Sequence, residues 1–394
     1  MYNNYPRQRR FRKSFSRQSS GRNSRRFNAI NPALFVNKAA VIGIAERFKP
    51  EHSFQDFAIE EQLKRAISAK GYHEPTPIQD RIIPVALQGA DVLGIADTGT
   101  GKTAAFLIPL INKILHNRRE RVLVLAPTRE LALQIEEELK GFARGMGIFS
   151  VCTVGGASIG RQINALGRSH NFIIATPGRL RDLINRGKIQ LARFGTVVLD
   201  EADRMLDMGF IDDMRFVMAA MPAKRHTLFF CATISRDIEK LIGAFLSNPA
   251  RISVKTRDTC ENVDQDVVRI TRGGDKLAAL YDLLGNKELS KVLIFGRTKH
   301  GVEKLSKILV GRGFKAESIH GNKSQSTRQR ALALFKGNVA RILVATDVAA
   351  RGLDIPNVSH VINYDVPATY EDYIHRIGRT GRNGKQGKAL TFIE

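Results

Sequence analysis

The stretch DVLGIADTGTGKTAAFLIPLINKI, Asp91–Ile114, holds three elements in one line. Asp91–Ile95 is a short apolar run with the length of a buried strand. Ala96–Thr103 is a glycine-rich turn. Lys102–Ile114 carries apolar residues at helical spacing. Strand, glycine-rich turn and helix, in that order, are the setting in which GKT works as a phosphate-binding loop. Glycines let main-chain N–H groups close around phosphate oxygens, and the helix N-terminus adds positive potential. Thr98, Gly99, Thr100 and Gly101 supply that cradle. Lys102 is expected to reach the β- and γ-phosphates, and Thr103 to place its hydroxyl on Mg²⁺. Ala96 stands where the general phosphate-loop pattern has its first glycine.

Outward from this stretch, apolar strand runs recur: Val122–Ala126, Ser150–Val154, Phe172–Ala175, Thr196–Leu199 and Thr227–Cys231. Helical stretches such as Glu130–Gly141 lie between most of them. Apolar strands alternating with helices predict a parallel sheet covered on both faces. A second series follows at Val292–Phe295, Ala316–Ile319, Arg341–Ala345, His360–Tyr364 and Ala389–Ile393. The polar stretch Lys255–Asp264, KTRDTCENVD, reads as the joint. The chain of 394 residues divides into a tail (1–30), an adaptor against the first domain (31–53), a first domain (54–256), a linker (257–265) and a second domain (266–394). Each domain is long enough to bury its own core.

VVLDEADRMLDMGF, Val197–Phe210, sets three acids, Asp200, Glu201 and Asp203, at the end of a buried strand. Strand C-termini of a parallel sheet gather on one edge, where ligands bind. Acids there are costly to desolvate unless a cation sits beside them. Asp200 is expected to hold Mg²⁺ mostly through water, and Glu201 to orient and polarise the attacking water. A helix cap would explain one acid, not three. Cys231-Ala232-Thr233 follows another strand onto the same edge, where it can hydrogen-bond Asp203. HRIGRTGRNG, His375–Gly384, repeats arginine at 376, 379 and 382 among glycines. An arginine brought from outside the phosphate loop stabilises charge on a transferring phosphoryl group.

The formal charge is +24, and residues 1–28 hold nine basic residues and no acid, so the rest still carries +15. Such a balance points to a polyanionic partner, nucleic acid first. The tail interleaves Tyr2, Tyr5, Phe11, Phe15 and Phe27 with arginine, which suits base stacking with phosphate neutralisation. Its poverty in aliphatic residues predicts disorder. A solvated tail and an organelle transit peptide are the rival readings. Cys152, Cys231 and Cys260 form no CxxC pair, which argues against zinc or a disulfide framework and for a reducing compartment. No apolar run approaches membrane-span length.

Taken together, these segments resemble the DEAD-box ATP-dependent RNA helicase family, over about Phe54 to Glu394, in the family's order, and the short core with one basic tail looks bacterial. GYHEPTPIQ, Gly71–Gln79, resembles the Q motif, with Phe54 as its upstream aromatic. After ADTGTGKT come PTREL (Pro127–Leu131), GG (Gly155-Gly156), TPGR (Thr176–Arg179), DEAD (200–203), CAT (231–233), LIFGRTK (Leu293–Lys299), QSTR (Gln325–Arg328), ATDVAARGLDIP (Ala345–Pro356) and HRIGRTGR (375–382). The resemblance implies two RecA-like domains in tandem joined by a short linker. It implies ATP and Mg²⁺ as cofactors, with Gln79 reading adenine and Gly352 and Asp354 at the ribose. RNA would lie across both domains on Pro127, Thr128, Arg129, Gly156, Thr176, Arg179, Arg297, Gln325, Arg328 and Thr346, without sequence preference. Arg379 and Arg382 resemble arginine fingers. His375 and Arg376 resemble residues that tie the second domain to the phosphate site, and Asp203, Cys231 and Thr233 those that couple hydrolysis to RNA.

The implied activity is RNA-stimulated ATP hydrolysis coupled to local, non-processive duplex separation or ribonucleoprotein remodelling, by a cytoplasmic monomer. An ATP-gated RNA clamp or chaperone with slow turnover shares these motifs, and a DNA helicase is the third reading. Two departures stand out. The family usually has serine at Cys231, so a weaker thiol partner predicts softer coupling. The chain also stops at ALTFIE, right after a strand, where a minimal second domain is expected.

Overall fold

The computed structural model describes residues 31–38, 48–97, 99–254, 262–271, 273–286, 288–350, 355, 357–381 and 386–393. The tail, residues 39–47 of the adaptor, Thr98, residues 255–261, Gly352, Asp354 and Arg382 lie outside them.

Two sheets account for the described strands. The first contains β1 (Val92–Ala96), β2 (Val122–Leu125), β3 (Ser150–Thr153), β4 (Phe172–Ala175), β5 (Thr196–Leu199), β6 (His226–Cys231) and β7 (Ala250–Val254), in the order β3-β4-β2-β5-β6-β1-β7. The second contains β8 (Val263–Arg269), β9 (Val292–Phe295), β10 (Ala316–Ile319), β11 (Ile342–Ala345), β12 (His360–Asn363) and β13 (Gly387–Ile393), in the order β10-β11-β9-β12-β13-β8. Every pairing between these strands is parallel. The central strands are buried end to end because helices cover both faces, which is why they read as unbroken Val, Leu, Ile and Phe. In the first sheet, residues of alternate parity feed two separate cores. Val92, Val122, Val124 and Phe230 enter one, and Leu93, Leu123, Leu125 and Phe229 the other.

Three expectations change. The linker set at 257–265 is too long at its far end, because β8 begins at Val263, which is fully buried. β8 reads VDQDVVR, with no apolar run, because it is an outer strand with one sheet neighbour, β13. β7, ARISV, was not expected as a strand for the same reason: it alternates exposed and covered residues at the edge of the first sheet. The described start of the adaptor, residues 31–38, packs on the second sheet and not against the first domain. Phe35 there joins Val263 and Tyr373, with ring centroids of Phe35 and Tyr373 4.7 Å apart.

Candidate active site and nucleic-acid groove

In the first unit the chain leaves β1, β2, β4, β5 and β6 at one edge, and each exit carries one of the motifs. The turn after β1 runs through Gly99 and Gly101, both at positive φ (87° and 95°). Gly101 has a second constraint: a Cβ there would lie 2.5 Å from Gln79 Nε2. Thr100 Oγ1 donates to Asp97 O at 2.9 Å, closing the loop on itself. Lys102 is buried and donates to Ala96 O at 2.7 Å. Thr103 sits half-buried in the first turn of the helix Lys102–His116.

Gln79 meets this loop from below. Its Nε2 donates to Gly101 O at 3.1 Å and its Oε1 accepts from Thr76 N–H at 2.9 Å. The amide is thus committed to the loop and to the cap of its own helix, leaving one N–H and one lone pair. Phe54 is buried, edge-on to Phe57 and Tyr72. Beside Gln79, buried Asp80 accepts from the N–H groups of Glu51 (2.8 Å) and His52 (3.1 Å), and its Oδ1 lies 2.8 Å from His52 Nδ1.

The three acids after β5 have three different environments. Asp200 is 2% exposed, and its Oδ1 has no hydrogen-bond partner. Burial pushes its carboxyl up to about 6, against the pull of Lys102. Glu201 is held in the left-handed region (φ 52°, ψ 52°) and forms a buried ion pair with Arg204, one helical turn on. Such a backbone costs a non-glycine residue about 1–3 kcal/mol and is kept where its aim matters. Asp203 Oδ2 accepts from Ala232 N–H (2.8 Å), Thr233 N–H (2.9 Å) and Thr233 Oγ1 (3.3 Å).

Cys231 is fully buried at the end of β6 within an apolar cluster, and burial, followed by nearby Asp203, pushes its thiol up to about 12. A thiol so buried and protonated is a poor nucleophile. The bonds to Asp203 come from main chain and from Thr233, so the thiol in place of a hydroxyl does not weaken them. Cys231→Ser is therefore expected to leave strand separation per ATP unchanged. It should cost about 1–3 kcal/mol in thermal unfolding, because the hydroxyl enters an apolar cluster.

The second unit supplies the other wall. A small cleft of about 50 Å³ is lined by Asp97, Lys102, Glu201, Asp203 and Arg204 from the first unit and by His375 and Arg379 from the second. Arg379 is 3% exposed. Arg376 turns the other way. Its guanidinium pairs with both oxygens of Asp347 (2.6 and 2.8 Å) and donates to Asn363 Oδ1 and Asp365 O. It braces the second unit internally and does not reach the phosphate loop.

A larger groove, about 470 Å³, crosses between the units. Pro127, Thr128, Arg129, Thr176, Arg179 and Arg328 line it, and Gly155 stands there beside Gly156. A Cβ on Gly156 would collide with the Arg129 guanidinium. Burial, then the charges of Arg328 and Arg179, lower the pKa of Arg129. Arg328 Nε lies 2.7 Å from Glu130 Oε1, joining the two units by an ion pair, although the N–H does not point at the carboxylate. Gln325 is buried with both amide atoms unpartnered. Arg297, Gln325 and Thr346 are not among the lining residues; Arg297 is exposed and its N–H donates to Asp365 Oδ2 at 2.7 Å. Sequence reasoning missed Arg204, Glu130, Asp80 and Asp347. Only Arg204, three residues after Glu201, carried a readable signal, the i,i+3 spacing of a helical ion pair.

The DEAD/DEAH box helicase profile matches residues 76–241, and that of the helicase conserved C-terminal domain residues 275–384. The chain is 46% identical over 343 residues to the DEAD-box ATP-dependent RNA helicase CshA of Bacillus subtilis, covering 86% of this chain and 69% of the relative. Among solved structures it is similar to Mss116p bound to ssRNA and AMP-PNP, at 31% identity and a TM-score of 0.78, covering 87% of this chain and 75% of that one. S. cerevisiae Dbp5 bound to RNA and ADP BeF3 gives 29% identity and 0.75, with 87% and 89% coverage. A DEAD box protein from Methanococcus jannaschii is more similar in sequence, at 39%, with 86% and 93% coverage, yet scores 0.51.

Proposed function

This chain belongs to the DEAD-box family of ATP-dependent RNA helicases, and on that premise we propose that its two units close around ATP and RNA together, so that RNA stimulates hydrolysis and hydrolysis drives local separation of short duplexes. One observation carries this reading: Arg379, from the second unit, lines the same cleft as Lys102 and Glu201 from the first. A phosphoryl group there is reached from both sides only while the units are together. The higher TM-scores with RNA- and nucleotide-bound relatives, despite lower identity, support the same arrangement.

The residues fit Mg²⁺. Asp200 carries a buried oxygen without a partner, at the strand end that faces the phosphate loop. That is the donor set for an ion held by one or two oxygens plus phosphates and water. Asp200 and Thr103 would hold it, and it would supply neutralisation of the phosphate charge. Lys102 leaves the Ala96 carbonyl to meet the β- and γ-phosphates. Glu201, held by its ion pair with Arg204, accepts a proton from the attacking water. Arg379 stabilises the charge that spreads onto the phosphoryl oxygens. Asp203 passes the state of this cleft to the Ala232–Thr233 turn.

Arg129, Arg179 and Arg328 converge on the groove, and their crowding is relieved by a polyanion. Gln325 offers a buried amide with no partner to a sugar or phosphate oxygen. Main-chain and cationic donors of this kind read backbone and 2′-OH, not base order. Among the described residues no helix is long and apolar enough to cross a membrane, and we place the activity in the cytoplasm, in a monomer.

The test is steady-state phosphate release with single-stranded RNA, with DNA of the same sequence and with neither. Strong stimulation by RNA and little by DNA is expected. Equal stimulation by DNA would overturn the 2′-OH reading, and tight ATP-dependent RNA binding with almost no turnover would make the chain an ATP-gated clamp.

A further inference from the structure

Residues 31–38 precede the first unit in the chain but dock on the second. Phe35 is 1% exposed, in a cluster with Val263, Tyr373, Ile377 and Ala389. Asn37 and Gln265 exchange both main-chain bonds: Asn37 N–H donates to Gln265 O at 3.1 Å, and Gln265 N–H to Asn37 O at 2.7 Å. β8 is the outer strand of its sheet, so the segment pairs with an edge that is otherwise open. Tyr373 belongs to the helix Tyr370–Ile377. That helix carries His375, and Arg379 follows its end, so Phe35 packs on the helix that presents the second unit's groups to the phosphate cleft.

A few residues later the chain is fastened to the other unit. The N–H groups of Glu51 and His52 donate to buried Asp80, and Phe54 and Phe57 enter the first unit's core. Residues 39–47 run from one anchorage to the other. The two units are thus joined twice along the chain, there and through 255–261. A connection of this length spans at most roughly 35 Å at full extension. Residues 31–38 and 51–57 lie outside the segments matched by the family profiles, whereas their partners Asp80, Tyr373 and Ile377 lie inside them.

We propose that residues 31–38 are an intramolecular strap, which ties the helix bearing His375 to the first unit and raises the effective concentration of one unit at the other. Closure around ATP and RNA then draws less on the ligands' differential affinity for the closed state. The proposal rests on the closing reading given above.

The experiment lengthens the strap without touching its contacts. A flexible insertion of about 20 glycine and serine residues between Ile42 and Gly43 of the full chain leaves Phe35 and Asn37 docked. Effective concentration falls roughly as the −3/2 power of connection length. With the connection through 255–261 unchanged, fivefold is the upper bound, and the insertion should raise the RNA concentration that half-saturates ATPase by about two- to fivefold, with the rate at saturating RNA unchanged. Energy transfer between dyes on the two units should report longer distances before ligands are added. Phe35→Ala, which undocks the strap, should act in the same direction. An insertion variant identical to the parent in both readouts, beside a Phe35→Ala variant that only melts earlier, would make the segment a cap on β8 and overturn the strap. Absence of RNA stimulation in the unaltered chain would instead remove the closing reading beneath it.

Discussion

Glu201→Gln should lower RNA-stimulated ATP hydrolysis by about 10²–10⁴-fold, the range for loss of a positioned general base, and leave ATP and RNA binding intact. The reason lies in how Glu201 is held. Its backbone is left-handed at φ 52°, its side chain is buried, and its carboxylate is paired with Arg204. The pairing fixes its carboxylate, and the backbone aims it into a cleft shared with Lys102 and Arg379. Glutamine keeps the size and the turn and loses the proton acceptor. Arg204 then faces a neutral amide, so the fold loses some of a buried ion pair. Single-turnover hydrolysis at saturating ATP and RNA, beside ATP-dependent RNA affinity, checks this. A variant whose loss disappears at higher ATP would mean that Glu201 serves binding and not the proton.

Arg379→Ala should lower the same rate by about 10³–10⁵, the range for an arginine finger, with no change in RNA affinity beyond a few-fold. Arg379 is not a mobile surface side chain. It is 3% exposed, and its N–H donates to Arg376 O at 3.2 Å. Arg376 is in turn fixed on Asp347, Asn363 and Asp365. The main chain that carries Arg379 is therefore anchored, and its side chain is buried at the wall of the cleft. Lysine in its place should rescue little, since a point charge lacks the planar fork that spans two phosphate oxygens. The measurement is phosphate release in a single turnover for the alanine and lysine variants, with melting temperature as the control for folding. Full rescue by lysine would reduce the role of Arg379 to bulk charge.

The central strands were readable because burial on both faces leaves an apolar run, as in VLVL and VVLD. The motif loops were readable because phosphate and metal chemistry allows few residue types at strand ends. β7 and β8 were not readable, because outer strands bury one face and lack the run. The docking of Phe35 was not readable either. It depends on Tyr373, more than three hundred positions away, and no local pattern encodes a partner at that distance. The same holds for Arg376. As one of three regularly spaced arginines it reads like its neighbours, and only Asp347, brought close by the fold, turns it inward. Cys231 was legible as a departure but not in its effect, since main-chain donors were already bound to Asp203.

The contact between Arg328 and Glu130, 2.7 Å across the groove, gives binding there the character of an exchange. A strand that settles on Arg328 takes the place of a carboxylate belonging to the protein, where elsewhere it would displace a salt ion from solution. The phosphate still sheds its own condensed cation there, but the freed Glu130 carboxylate offsets part of the gain. The exchange favours occupants that present several charges in a row over any single small anion, because only a multivalent rival recovers at its other contacts what the internal pair gives up.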